Sequence, residues 1–139
     1  MRRRLRPLCR RCLTSPLPTP PPIAQGATAA ALYLATAAAE GASATPQPQF
    51  AILVSGFLPR DATFSQVLTT TAPATPALLI VGRADAMVPP ERSLALAQAF
   101  APGAARVLEH AGAHMMPTCS GPFKAELAAF LDEQVSKCK

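Results

Sequence analysis

The chain has 139 residues, half of them hydrophobic, which is enough for one domain with a hydrophobic core. No apolar stretch approaches the roughly 20 residues that a membrane-spanning helix needs, so we expect no membrane span. The net charge of +5 is concentrated in residues 1–22, which hold six arginines and no acid. The remainder has 13 − 6 = 7 basic residues against 8 acidic ones, so the composition predicts no nucleic-acid partner.

Residues 1–22 form an arginine- and proline-rich segment, with six of the chain's 16 prolines. Proline disrupts both helix and sheet interiors, so the segment is predicted to be a disordered arm. An organelle transit peptide is the other interpretation, because transit peptides are rich in arginine and poor in acids. A cytoplasmic location goes with the first interpretation, an organelle with the second. Residues 23–139 are assigned to one domain.

The four cysteines are Cys9, Cys12, Cys119 and Cys138. Cys9 and Cys12 form a CxxC motif, but no second CxxC completes a zinc site, and no strand precedes the motif as in redox proteins. We interpret all four as plain thiols in a reducing compartment.

Apolar periodicity and turn residues predict the order of secondary structure. A helix over residues 23–39 is followed by a wholly apolar strand from Phe50 to Ser55. Residues 57–76 are predicted to be irregular, with at most a helical turn from Thr63 to Leu68.

The second half of the chain predicts two further strands, each followed by a helix. These elements are the strand Ala77–Val81, a helix opened by Pro89 and Pro90 and ending near Phe100, the strand Ala105–Glu109, and a helix from Pro122 or Phe123 to Val135. Strands alternating with helices predict an α/β fold with three parallel strands.

Two predicted helices carry an apolar stripe. In the first, the predicted stripe comprises Leu94 and Ala97, with Ala95 and Phe100 as further candidates. In the second it comprises Phe123, Leu127, Phe130 and Leu131, which fall at i, i+4, i+7 and i+8 on one face.

Asp85 and His114 each follow a predicted strand. Carboxyl ends of parallel strands meet at one edge of a sheet, so the two side chains are predicted to form an acid–base pair. Taken alone, Asp85 could be a turn or capping residue, and His114 a structural histidine. His110 lies four residues before His114, but Gly112 between them argues against a helix, and no metal site is expected.

Three stretches resemble the carboxyl half of the FSH-type serine hydrolases, which are α/β-hydrolases with esterase-like activity. They read FAILVSGF, VGRADAMVPPERSLALAQAF and VLEHAGAHMMP, and the resemblance runs from about Ile23 to Leu131. It implies a partial α/β-hydrolase fold that lacks the family's amino-terminal strands. It also implies that Asp85 and His114 are the acid and the base of the family's triad. The family usually has Gly-Gly-His where this chain has Gly-Ala-His.

The family's nucleophile lies in a Gly-Phe-Ser-Gln-Gly segment, which matches Pro-Ile-Ala-Gln-Gly at residues 22–26. Ala24 therefore occupies the serine position, and the backbone N–H of Gln25 is the candidate oxyanion donor. None of the candidate replacements, Ser55, Ser65 and Ser120, lies in a Gly-x-Ser-x-Gly segment, and we interpret them as loop or strand-end residues.

Two functional hypotheses follow from the resemblance. One is a hydrolase for carboxylic esters or thioesters, which needs no cofactor and acts on a small-molecule substrate. The other is a truncated, catalytically inactive form or pseudoenzyme that serves as a binding module. The sequence leaves the acyl group and the oligomeric state open.

Overall fold

The computed structural model describes residues 24–41 and 45–137. The predicted arm, residues 1–22, and the cysteines Cys9, Cys12 and Cys138 lie outside the described residues. Across the described ranges, three strands alternate with four helices. In chain order these are α1 (Gln25–Glu40), β1 (Ala51–Val54), α2 (Ala62–Thr71), β2 (Ala77–Gly82), α3 (Pro90–Gln98), β3 (Ala105–His110) and α4 (Gly121–Lys137).

The three strands form one parallel sheet in the order β1-β2-β3. β2 lies in the centre, and all six of its residues are buried. In register, Val54 of β1 lies beside Ile80 of β2, and Gly82 of β2 lies beside His110 of β3. The sheet confirms the predicted partial α/β fold, and it brings the loops after β2 and β3 to the same edge.

Alternate residues of β2 pack on opposite faces of the sheet. Leu79 and Val81 join a core with residues of α1, α2 and α3. Leu78 and Ile80 pack instead with Phe130 of α4. The predicted apolar face of α4 is confirmed. Its three other residues are partly buried and pack against this second cluster: Phe123, Leu127 and Leu131. The sheet is thus covered on both sides, as its continuous apolar strands require.

The segment before β2 was predicted to hold no more than a helical turn from Thr63 to Leu68, and this prediction is wrong. A ten-residue helix, α2, runs through the threonines. The Asp61 carboxylate caps it by accepting hydrogen bonds from two first-turn N–H groups. The hydroxyl of Thr69 donates to a carbonyl one turn earlier, at 3.1 Å, and Leu68 is fully buried. Side-chain hydrogen bonds and tertiary burial thus outweigh the modest helix propensity of threonine.

The buried stripe of α3 is displaced by one residue from the prediction. Ser93 and Leu96 are fully buried, whereas Leu94, Ala95 and Ala97 are half-buried. The further candidate Phe100 is buried, as predicted. The displacement has a polar cause, since the Ser93 hydroxyl donates a 2.7 Å hydrogen bond to the Gly56 carbonyl. The periodicity of apolar residues does not identify a buried serine whose hydroxyl donates a hydrogen bond to a distant backbone carbonyl.

No helix within these described ranges is both long enough and apolar enough to cross a membrane.

Candidate functional site

Asp85 lies in the loop that follows β2, and only 4% of its surface is exposed. One carboxylate oxygen, Oδ1, accepts hydrogen bonds from the backbone N–H groups of Met87 and Val88, each at 2.9 Å. These two bonds fix the carboxylate against the turn that leads into α3. The second oxygen, Oδ2, remains for a partner.

That partner is His114, in the loop after β3. Its Nδ1 lies 2.8 Å from Oδ2 of Asp85, and 17% of the histidine side chain is exposed. Because an ionised carboxylate can only accept, Nδ1 is the donor in this contact. In the neutral imidazole Nε2 then keeps a lone pair able to take a proton. The structure therefore brings the two predicted residues into direct contact.

The electrostatics of Asp85 favour its ionised form. Burial by itself raises the pKa of the carboxyl group. The Val88 N–H, the His114 ring, the Ser55 hydroxyl and the Met87 N–H act in the opposite direction and together hold the pKa of Asp85 below its ordinary value. A charged acceptor for His114 is consequently maintained at neutral pH.

Gly82, the last residue of β2, allows the two loops to meet. A Cβ atom there would lie 2.4 Å from the Ala113 carbonyl oxygen and 2.6 Å from that of Gly112. Both distances are too short, and both neighbours are backbone atoms. The Arg83 N–H also donates to the His110 carbonyl at 2.8 Å. The loop that holds His114 thus packs directly against the backbone of Gly82, which has no side chain to keep it away.

Ala24 occupies a strained turn immediately before α1. Its φ is 53°, which is uncommon for a residue with a Cβ atom, and its side chain provides no cap for the helix. The Ala24 N–H donates to the Val54 carbonyl at 2.9 Å, which ties the turn to the end of β1. Gln25 is the first residue of α1, where N–H groups lack acceptors within the helix.

An open groove of about 360 Å³ begins at this turn. Its walls consist of Ala24, Gln25, Phe57, Met87, Val88 and Arg92. Met87 and Val88 are the residues whose backbone N–H groups hold Asp85. The groove and the acid–histidine pair therefore share one loop.

Two features of this edge escaped the sequence analysis. Ser55 has a φ of 50° and is 1% exposed, and its hydroxyl lies near enough to Asp85 to lower the pKa of that carboxyl group, although it forms no well-aligned hydrogen bond among the described residues. Arg92 lies over the ring of Phe57, with Cζ 4.4 Å from the ring centroid. Neither contact follows a sequence pattern, since one depends on a local backbone twist and the other joins residues 35 positions apart.

The candidate replacement serines lie elsewhere in the fold. Ser55 is buried at the end of β1, Ser65 lies in α2, and Ser120 directly precedes α4. Because Ser55 is almost completely buried, a substrate cannot reach its hydroxyl in this conformation.

His110, the second histidine of this edge, contacts backbone and not a carboxylate. Its Nδ1 accepts a 3.1 Å hydrogen bond from the Gly112 N–H, and its buried Nε2 has no partner within the described part of the chain. Burial lowers the pKa of His110, and the negative charge of Asp85 only partly opposes this effect. Among the residues described, no group of three or more His, Cys, Asp or Glu side chains is arranged to hold a metal.

A parallel sheet covered by helices, with an acid and a histidine joined at its carboxyl edge, is typical of the α/β-hydrolases. The chain belongs to the FSH1 serine hydrolase family, since the family model described as "Serine hydrolase (FSH1)" matches residues 23–124.

Curated relatives agree with this assignment. The chain is 38% identical to the human protein named "Esterase OVCA2" over 109 residues, and 35% and 34% identical to the mouse and bovine proteins of that name. Each match covers 78% of this chain but 46% of the relative, so the chain spans about half the length of these proteins. No solved structure matches the chain.

Substituting Gly82 by alanine should displace the loop of His114. The added methyl group meets backbone oxygens that cannot move independently, and overpacking of this kind costs about 1–3 kcal/mol. Denaturant unfolding should show that loss. Long-range ¹H–¹⁵N spectra of the imidazole ring should show loss of the hydrogen-bonded Nδ1–H of His114.

Gly103→Ala is the matched control for this prediction. Gly103 has a φ of +80° and open space around it, so the alanine introduces backbone strain of about 1–2 kcal/mol without a contact. It should lower stability and leave the His114 signal unchanged. An unchanged signal in Gly82→Ala would contradict the positioning role of Gly82.

His110 should make the folded state sensitive to mild acid. In the unfolded chain His110 has its ordinary pKa of 6.5, so it binds a proton below that pH. In the folded chain the pKa of His110 is lower, and the proton is not bound until the pH falls further. The free energy of unfolding should therefore fall as pH decreases from 6.5 towards that lowered value. In His110→Asn, whose side-chain oxygen can still accept from the Gly112 N–H, the fall should be smaller. Parallel pH profiles for the two proteins would show that His110 does not titrate differently on folding.

Proposed function

We propose that this chain carries the ester-binding site of a serine hydrolase in which alanine replaces the nucleophile. It would bind carboxylic esters or thioesters without forming an acyl-enzyme. The observation on which the proposal depends is the 2.8 Å contact between His114 Nδ1 and Asp85 Oδ2 at the carboxyl edge of the sheet. In a Ser-His-Asp triad the carboxylate orients the imidazole in this way, so that Nε2 faces the nucleophile.

The backbone at Ala24 supports its assignment to the nucleophile position. The nucleophile of an α/β-hydrolase lies on a sharp, strained turn between a strand and a helix. Ala24 has a positive φ, directly precedes α1 and forms part of the groove wall. The turn thus has the backbone strain of a nucleophile elbow, while the side chain has no oxygen.

Gln25 is the proposed oxyanion donor. In these enzymes the N–H of the residue after the nucleophile points at the developing oxyanion. Gln25 follows Ala24, begins α1 and lines the same groove. A carbonyl oxygen could therefore be held by this N–H even where no covalent bond forms, which favours binding over turnover.

Alanine excludes the acyl-transfer route. A methyl group has no lone pair to attack the carbonyl carbon, so His114 has no hydroxyl proton to remove. We therefore favour a pseudoenzyme that binds a small-molecule ester. The proposal includes no cofactor, metal or nucleic-acid partner.

Restoring the hydroxyl tests this account. Ala24→Ser should react with a fluorophosphonate probe, and intact-mass spectrometry should show one adduct located at residue 24. The unaltered chain should not react. The same variant should hydrolyse p-nitrophenyl butyrate, because the serine would then have a base and an oxyanion donor.

Two further variants make the result specific. Ala29→Ser places a hydroxyl on an exposed position of the same helix and should not react. Adding His114→Ala to Ala24→Ser should slow labelling by about 100-fold or more, the usual contribution of a general base. Labelling of the unaltered chain, or no labelling of a folded Ala24→Ser variant, would contradict the proposal.

A further inference from the structure

The groove beside Ala24 contains one charged side chain. Phe57, Met87 and Val88 give it apolar walls, whereas Arg92, from the first turn of α3, contributes a guanidinium group. The groove thus combines apolar walls with one charged group that can fix the orientation of a ligand. The function of that polar group is not explained by ester binding alone.

Arg92 has no carboxylate partner among the residues that the structure describes. All eight Asp and Glu residues of the chain lie in the described ranges, and none forms an ion pair with it. Asp85 pairs with His114, and Glu109 and Glu133 form ion pairs with other basic side chains. The guanidinium group that lines the groove is therefore not paired with any Asp or Glu side chain of the chain.

Contact with Phe57 fixes the guanidinium without consuming its donors. The Cζ atom of Arg92 lies over the ring at 4.4 Å from the centroid. A guanidinium that lies over an aromatic ring keeps its N–H donors at its edge, and those donors match a carboxylate in a bidentate pair. Because Arg92 is half-buried, its position is restricted before any ligand arrives.

We propose that Arg92 selects esters that carry a second, ionised carboxyl group, such as the monoesters of dicarboxylic acids. The ester group would lie at Ala24 and Gln25, the alkyl part along Met87 and Val88, and the free carboxylate on Arg92. A single arginine matches one negative charge, which favours a carboxylate over a doubly charged phosphate. The inference names the ligand class of the proposed ester site and rests on that function.

The unaltered chain can be used for the test, since it is expected not to consume esters. Monoethyl esters of the C4 to C8 dicarboxylic acids are compared with ethyl esters of monocarboxylic acids of equal chain length. Binding is followed by ¹H–¹⁵N spectra of the protein at pH 7.5. At least one acidic ester should bind about twofold to fivefold more tightly than its neutral counterpart, as expected for one partly exposed ion pair.

Three variants assign the preference to the residue. Arg92→Gln should abolish the difference in affinity between the two series, because the glutamine side chain carries no charge to pair with the free carboxylate. Arg92→Lys keeps the charge but not the bidentate geometry, and should retain part of the preference. Arg60→Gln removes one positive charge from an exposed arginine that lies outside the groove walls and forms no ion pair with another described residue. It should leave the preference for acidic esters unchanged.

Equal binding of the two series, no binding of either, or a preference that survives in Arg92→Gln would overturn the inference. Its failure is separable from that of the proposed function. If the series bind equally while Ala24→Ser still reacts with the fluorophosphonate, only the ligand class is wrong. If the acidic preference is found while Ala24→Ser does not react, the ligand class stands and the assignment of the nucleophile position fails.

Discussion

The hydrogen bond between His114 and Asp85 is the interaction on which the arrangement of this edge depends. It joins the loop after β2 to the loop after β3, and both its members are largely buried. The parallel register pairs Gly82 with His110, so β2 and β3 end at the same height and the two loops begin side by side. A buried carboxylate without this partner would lose one of the hydrogen bonds that keep it ionised, at a cost of about 1–3 kcal/mol. Under the proposed function, ligand binding and fold stability thus both depend on this one contact.

The turn at Ala24 adds a second constraint. Holding a non-glycine residue in a sparsely populated region of φ/ψ space costs about 1–3 kcal/mol. Ala24 is held in this way, and its side chain also provides no cap for α1. The bond from the Ala24 N–H to the Val54 carbonyl helps to hold the turn in place. In an active serine hydrolase such strain presents the nucleophile. Ala24 has comparable backbone strain and no hydroxyl, which is the physical basis for proposing binding without acyl transfer.

Most of the framework could be predicted from the sequence because it depends on local patterns. The wholly apolar run that became β2 and the residues just beyond it located Asp85, and the next strand located His114. By contrast, α2 depends on the cap from Asp61 and on tertiary burial of Leu68, so propensity alone under-predicted it.

The polar details of the site could not be predicted, because they join residues far apart in the chain. The stack of Arg92 on Phe57 and the hydrogen bond from Ser93 to Gly56 both depend on how α3 packs against the loop after β1. Sequence periodicity identifies which face of a helix is apolar. It does not identify a cation or a hydroxyl that finds its partner only after the sheet has formed.

The most direct test is a long-range ¹H–¹⁵N spectrum of the histidine side chains in the unaltered, purified chain at pH 8. We expect that His114 carries its proton on Nδ1, that this proton exchanges slowly with water, and that Asp85→Ala abolishes the slow exchange. A His114 ring protonated on Nε2, or an Nδ1 proton unaffected by removal of the Asp85 carboxylate, would contradict the account.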